Sequence, residues 1–322
     1  MRPKRNAVSA LATVLFAAAT AASAQTLETV GTRASGMAGA FVAVASDSSA
    51  VWWNPAALPA GPFVDVSIGH GVAVDGGEAS RGEARATSFA MTLPLAGLHV
   101  TRYSVVGATP ARGPAAAARV QVTQAGLTLV QSLAWGVHVG GTLKYLRGGA
   151  AVEPRNGPVE GSPARGRRLD LPDSDGQWDA DLGLAVVQGR WRVGLLARQL
   201  GEPGFPAGGG EIRLDRHVRV GLAFDAAAGD GPPLIVAGDM DLTAVSGPDG
   251  ARRDLALGVE HWPAPGRLAV RAGVRASTID EARPVGTAGV SVLVRSGLFL
   301  DVSAGSGGSN RSTWNASARV TF

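Results

Sequence analysis

Arg267-Leu-Ala-Val-Arg-Ala-Gly-Val-Arg275 changes character at every step. Leu268, Val270, Ala272 and Val274 fall on one parity; Arg267, Ala269, Arg271, Gly273 and Arg275 fall on the other. Residues two apart on an extended chain share a face, so the stretch reads as a strand with one apolar and one polar side. The pattern recurs. Val218, Val220, Leu222 and Phe224 alternate with His217, Arg219, Gly221 and Ala223. Leu255, Leu257 and Val259 alternate with Asp254, Ala256, Gly258 and Glu260. Trp191, Val193, Leu195 and Ala197 alternate with Arg192, Gly194, Leu196 and Arg198.

From residue 62 to residue 322 the chain divides into about fourteen such segments. They span 62–72, 85–94, 97–108, 118–130, 135–147, 177–187, 190–200, 216–226, 233–243, 252–262, 266–276, 285–295, 297–304 and 313–322. The connections alternate in length. Those at 95–96, 131–134, 188–189, 227–232, 263–265 and Ser296 are short; those at 73–84, 109–117, 148–176, 201–215, 244–251, 277–284 and 305–312 are longer. Transmembrane barrels have short periplasmic turns and longer external loops, so the predicted fold is all-β, an antiparallel barrel crossing a bacterial outer membrane.

Composition agrees. Hydrophobic residues make up 45% of the 322 and charged residues 17%, less charge than in an ordinary soluble domain. No run of about 20 apolar residues occurs beyond the first 25, as a helical span would need. Trp135, Trp178, Trp191 and Trp314 each start a segment on its apolar parity, and Trp262 ends one. Such placement predicts interfacial aromatic girdles. The last segment, Trp314 to Phe322, ends in an aromatic residue, which resembles the C-terminal signal read by the outer-membrane assembly machinery.

The N-terminus reads as a secretory signal peptide over residues 1–24. Arg2, Lys4 and Arg5 are basic, Ala7 to Ala22 is small and apolar, and Ala22-Ser23-Ala24 fits a cleavage site before Gln25. There is no cysteine, hence no disulfide. The formal net charge of +4 falls to +1 once the three basic residues are removed, which points away from nucleic acid.

Residues 25–61 precede the strands, and 31–60 do not alternate. Phe41, Val42, Val44, Val51, Trp52 and Trp53 make them too apolar for a disordered tail. A barrel of about fourteen strands is wide enough to leave a pore, and this segment is the right size to plug it. Asp47 or Ser48 is positioned to cap a short helix that must stop before Pro55. The stretch Gly-x-x-Ala-x-Gly-x-x-Gly-Ala-Phe-Val-Ala-x-Ala around Gly36 and Gly39, then Ser-Ala-Val, Trp52-Trp53 and Asn54-Pro55-Ala56, resembles the FadL/PorV superfamily of outer-membrane barrels. The resemblance implies a hatch inside a 14-stranded barrel, with Trp52, Trp53, Asn54, Pro55 and Ala56 in the hatch as gating residues. It implies either a hatch-gated channel for small hydrophobic or amphipathic molecules, or a PorV/PorQ-like accessory protein with secretion-system partners. The polar 148–176 loop and the chain's compactness lean toward the second branch.

Lumen-parity charges suggest chemistry of a structural kind. Asp179 and Asp181 precede Arg192 and Arg198; Asp239, Asp241, Asp254 and Glu260 precede Arg267, Arg271 and Arg275; Asp301 precedes Arg319. Opposite charges on adjacent strands can pair across the wall or anchor the hatch. Alternatively Arg267, Arg271 and Arg275 form a basic ladder guiding an anionic permeant. Asp173-Ser-Asp175-Gly176 has its glycine misplaced for a calcium loop, and the five histidines lack metal-site spacing. No nucleophile–base arrangement is visible, so no enzyme, metal or cofactor is expected. The expected partners are outer-membrane lipid, the assembly machinery and a permeant or secretion component.

Overall fold

A computed structural model of the chain describes residues 30–75, 81–108, 116–154, 175–207, 210–227, 231–247, 250–308 and 311–322. The predicted signal peptide, residues 25–29 and most of the polar 148–176 loop lie outside them.

The alternating segments form one wall of fourteen strands: β1 (Asp65–Asp75), β2 (Arg81–Leu93), β3 (Ala96–Ala108), β4 (Ala116–Ser132), β5 (Val137–Pro154), β6 (Asp175–Gln188), β7 (Trp191–Arg198), β8 (His217–Asp225), β9 (Leu234–Asp241), β10 (Asp254–Ala264), β11 (Leu268–Ser277), β12 (Val285–Arg295), β13 (Leu298–Gly307) and β14 (Arg311–Thr321). Each pairs antiparallel with its chain neighbour, and β14 returns to β1, Asp65 facing Thr321. The sheet is therefore closed and no wall strand has a free edge. Phe322 finishes the closure: its N–H donates to the Val64 carbonyl at 2.9 Å, and the Val64 N–H donates back at 3.2 Å.

Side chains sort as the alternation requires. Leu257 is 54% exposed on the outside, while its neighbour Ala256 is 1% exposed on the inside. Trp135 and Trp191 stand outward at the short-turn end, Trp178 and Trp314 outward at the long-loop end. From Trp135 to Tyr145, ten residues at about 3.3 Å each, tilted about 40°, give an apolar band about 25 Å tall.

Several expectations need correction. Trp262 is not part of the girdle. It shares lumen parity with Glu260, donates its Nε1 proton to that carboxylate at 3.2 Å and packs edge-on against Phe299. Trp135 lies in a tight turn at φ 60°, and its strand begins at Val137. β5 runs on to Pro154 because Gly148–Pro154 pair in register with Ala116–Val122, so much of the supposed start of the 148–176 loop is wall. The 201–215 connection contains a hairpin, Gly204–Ala207 against Gly210–Arg213, and a second small hairpin pairs Val245–Gly247 with Gly250–Arg252.

Candidate functional site

Residues 30–61 lie inside the closed wall. Helix α1 (Thr32–Gly36) leads into a series of turns, and helix α2 (Ala50–Trp53) follows. α2 stops at Asn54, which is extended because proline at the next position disfavours the helical region. Pro55 then opens a 3-10 helix, Pro55–Ala60, at the position where its missing N–H costs nothing. The N-cap of α2 is Ser49, not Asp47 or Ser48; Asp47 instead accepts from the Ser49 N–H at 3.0 Å and the Ser49 hydroxyl at 2.5 Å.

The wall is shaped to receive this backbone. Gly140, Gly183, Gly194, Gly221, Gly258 and Gly273 all point inward, and three pairs of them face one another across adjacent strands: Gly140 with Gly183, Gly194 with Gly221, Gly258 with Gly273. A Cβ at Gly194 would lie 2.4 Å from the Val42 carbonyl oxygen, and one at Gly273 2.4 Å from the Met37 carbonyl carbon. One at Gly140 would lie 2.6 Å from the Ala56 nitrogen. The hatch backbone thus lies directly on the wall backbone, an approach only glycine permits.

Charges hold it in place. Arg33 donates from Nε and Nη2 to the two oxygens of Glu260 at 2.6 and 2.7 Å. Asp239 accepts from the Phe41 and Val42 N–H groups at 2.9 and 2.8 Å. Arg219 donates to the Gly39 carbonyl at 3.2 Å while its Nε bonds Asp241 at 2.5 Å. Arg198 lies 4.0 Å above the Trp52 ring, and Arg219 5.7 Å from the Trp53 ring. A second network runs around the wall: Arg271 bonds Glu260 at 2.5 Å and Ser291 at 2.6 Å, Ser291 bonds Asp301, and Arg319 bridges Asp301 and Asp65. Buried charges remain ionised only when paired in this way.

Above the hatch, on the long-loop side, the lumen is lined by apolar inward residues of β3, β4 and β5. Tyr103, Val105, Val120, Val122 and Leu146 are all buried, and Phe205 from the inserted hairpin packs among them beside Gly148. Between this cluster and Trp52 sit buried polar atoms without hydrogen-bond partners among the described residues: Tyr103 Oη, His99 Nδ1 and Arg198 Nε and Nη2. Beside the hatch, a small cavity of about 30 Å³ lies against β1–β3, β13 and β14, lined by polar groups including Asp47, His99, Asp301 and Arg319.

The residues singled out in the sequence fall as follows. Asn54 is fully buried and donates to the Val42 and Leu184 carbonyls at 2.9 and 3.0 Å, joining hatch to hatch and hatch to wall, while its Oδ1 accepts from the Ala56 N–H at 3.1 Å. Trp52 and Trp53 are buried, and the Trp53 Nε1 proton goes to the Val30 carbonyl. Arg267, Arg271 and Arg275 are not alike. Arg271 is buried in the network just described, Arg267 is exposed in the 265–267 turn, and Arg275 is half-buried on the lumen face. The expected cross-wall pairing is present at Arg271–Glu260, Arg198–Asp181 and Arg319–Asp301, but Asp181 and Asp179 lie closest to Lys144, at 2.6 and 3.1 Å. Arg33 and the inward glycines were not singled out. A lone arginine in an apolar plug and glycines repeated on lumen parity were the available signals.

No family model and no curated protein matches the chain. Solved structures do. The CymD monoaromatic hydrocarbon channel superposes with a TM-score of 0.63 at 13% identity, covering 93% of this chain and 99% of that one. The Ralstonia pickettii toluene transporter TbuX gives 0.61 at 14% identity, with 92% and 99% covered. A Pseudomonas aeruginosa FadL homologue gives 0.56 at 12% identity, with 91% and 98% covered. The chain has the FadL-type fold. The strand count of about fourteen read from the sequence matches the closed wall.

Proposed function

We propose that this FadL-type barrel is an outer-membrane channel for small hydrophobic or amphipathic molecules, with residues 30–61 as its gate. The observation that carries the reading is the order of layers along the lumen: an apolar lining toward the long loops, then the seated hatch, with a small polar cavity beside it. A solute that partitions into the upper lining leaves water for an apolar surface, while the glycine seat bars direct passage. Tyr103 Oη and the Arg198 Nε and Nη2 groups, buried and without hydrogen-bond partners among the described residues, are placed to receive a polar head group on such a solute. Asn54, Pro55 and Ala56 form the joint between hatch and β5–β6, where a shift of the hatch would open a path. The named neighbours, two of them channels or transporters of aromatic hydrocarbons, support this class of permeant over a secretion partner.

The test is uptake of toluene and of a medium-chain fatty acid into proteoliposomes, with the full barrel and with a variant lacking residues 30–60. Both proteins are first checked for the folded barrel by heat-modifiable gel migration. Uptake by the intact barrel and faster, less selective uptake by the deletion are expected. A folded barrel that passes neither compound in either form ends the reading.

A further inference from the structure

The outer face of β1–β5 changes character between two adjacent rows of the sheet. Ile68, Phe89, Val100, Ala125, Tyr145 and Trp178 stand side by side across β1–β6, each paired with the next. Two residues further toward the long loops, the same registers align His70, Thr87, Arg102, Thr123 and Arg147. Both rows point outward. Arg102, Arg147 and Thr87 are exposed, and His70 shares a 2.8 Å hydrogen bond with Thr87. The next row contains Arg85, exposed and paired with Glu83, then Ser104 and Gln121.

Two residues advance a strand by about 6.6 Å, or roughly 5 Å along the membrane normal at a tilt near 40°. On strands tilted about 40° a paired row drops by about 3 Å per strand from β6 toward β1, so the ring-bearing upper limit of the apolar band, where amphipathic aromatics sit at the membrane–water boundary, passes from Trp178 and Tyr145 to Trp314, which pairs with Val72 two rows above Ile68. Arg102 and Arg147 therefore stand at the level of lipid head groups. They are two strands apart with Thr123 between them, about 9.6 Å at the usual strand spacing. The wall is tall here. β4 and β5 have 17 and 18 residues, well beyond the 9–11 that a spanning strand needs, while β7, β8 and β9 have 8, 9 and 8. On β6–β14 the described strand residues facing outward in the long-loop half include no arginine.

We infer that Arg102, Thr123 and Arg147, with Arg85 above them, form a docking site on the barrel's outer wall for the phosphorylated head group of the outer-leaflet glycolipid. A guanidinium binds phosphate oxygens in a bidentate fork, and it does so more strongly at the edge of a low-dielectric layer. The threonine hydroxyl between the two arginines adds a neutral donor, and the apolar row below receives acyl chains. The site is separate from the lumen and does not depend on what the channel carries.

Native mass spectrometry of the detergent-solubilised barrel, titrated with bisphosphorylated lipid A and with its dephosphorylated form, tests this. Arg102→Gln/Arg147→Gln should weaken the phosphorylated lipid by about thirtyfold. Arg102→Lys/Arg147→Lys should keep part of the binding, since charge remains without the fork. Arg295→Gln, at the short-turn end of β12, should change nothing. The dephosphorylated lipid should bind the wild type as weakly as the phosphorylated lipid binds the glutamine variant. Each variant must show the heat-modifiable band of a folded barrel; if the glutamine pair does not fold, the lysine pair and the two lipids decide. The inference is overturned if wild type and folded variants bind within about twofold of each other, or if the two lipids bind the wild type alike.

Discussion

Arg33 in the hatch grips Glu260 in the wall through two hydrogen bonds of 2.6 and 2.7 Å, although 227 positions separate them in the chain. Glu260 is shared. Arg271 on the neighbouring strand bonds the same carboxylate at 2.5 Å, and Asp47 lies 3.8 Å from the other side of Arg33. The hatch is therefore tied into the ionic network of the wall, and it cannot shift without separating a buried pair.

Removing one partner of a buried ion pair leaves the other charge without compensation, at a cost of about 3–5 kcal/mol. Arg33→Met should loosen the hatch more than the wall, because Glu260 keeps Arg271. We expect a higher resting conductance in planar bilayers and faster cleavage within residues 30–61 by added protease. Glu260→Gln should do both and also lower the unfolding midpoint of the barrel, since it frees two arginines at once. Unchanged conductance in both variants would show that this pair does not hold the gate.

The glycine seat makes a steric prediction. A Cβ at Gly273 would lie 2.4 Å from the Met37 carbonyl carbon, whereas one at Gly286 on the outer face of β12 meets nothing within 4 Å. Gly273→Val should displace the hatch and destabilise it by about 1–3 kcal/mol, the usual range for overpacking. Gly286→Val should be neutral and serves as the control. Hydrogen exchange over residues 34–45 reads the difference: protection should fall in the first variant alone.

How far the sequence led depends on the range of the interaction. Period-2 alternation is local, so segments such as Leu268–Ser277 and His217–Asp225 were legible within a residue or two. The extension of β5 to Pro154 was not, because Gly148, Gly149, Ala150 and Ala151 carry no alternation and owe their strand geometry to pairing with β4. Trp262 was misread for a related reason. Its side follows from lumen parity with Glu260, whereas a strand end is shared by girdle and lumen residues alike. The hatch was legible as an apolar, non-alternating segment. Its seat was not: inward glycines look like the small residues of any polar face until the backbone they receive is known. Arg33–Glu260 joins two elements with no sequence relation, and no local pattern encodes that.

Asn54 is a case where charge and shape can be separated. Its amide group donates both protons, to the Val42 and Leu184 carbonyls, and its oxygen accepts from the Ala56 N–H. Asn54→Ala loses all three bonds and leaves buried backbone groups unpaired, at about 1–3 kcal/mol each. Asn54→Asp keeps the bond from Ala56 but turns a carboxylate toward two carbonyl oxygens. The aspartate should therefore be the worse substitution, with protease resistance of the hatch falling in the order wild type, alanine, aspartate. The reverse order of the two variants would mean that the cap on Ala56, rather than the tie to β6, sets the position of the hatch.

Phe205 closes the apolar lining from above. It is 1% exposed, and a Cβ at Gly148 would meet its ring at 3.0 Å and Val122 at 2.9 Å. The ring belongs to an inserted hairpin, not to the wall, so its loss should cost little in the closed sheet. Truncating a buried phenylalanine costs about 3–5 kcal/mol, and here the cost falls on the hairpin's docking. Phe205→Ala should lower hydrogen-exchange protection in residues 203–207 and 210–214 while the unfolding midpoint of the barrel holds. The space left open adjoins Val122 and Leu146, so aromatic solutes should enter faster, with bulkier ones gaining most. If uptake rates stay the same while the hairpin loosens, entry does not pass this ring and the upper lining is not the first station of the permeant.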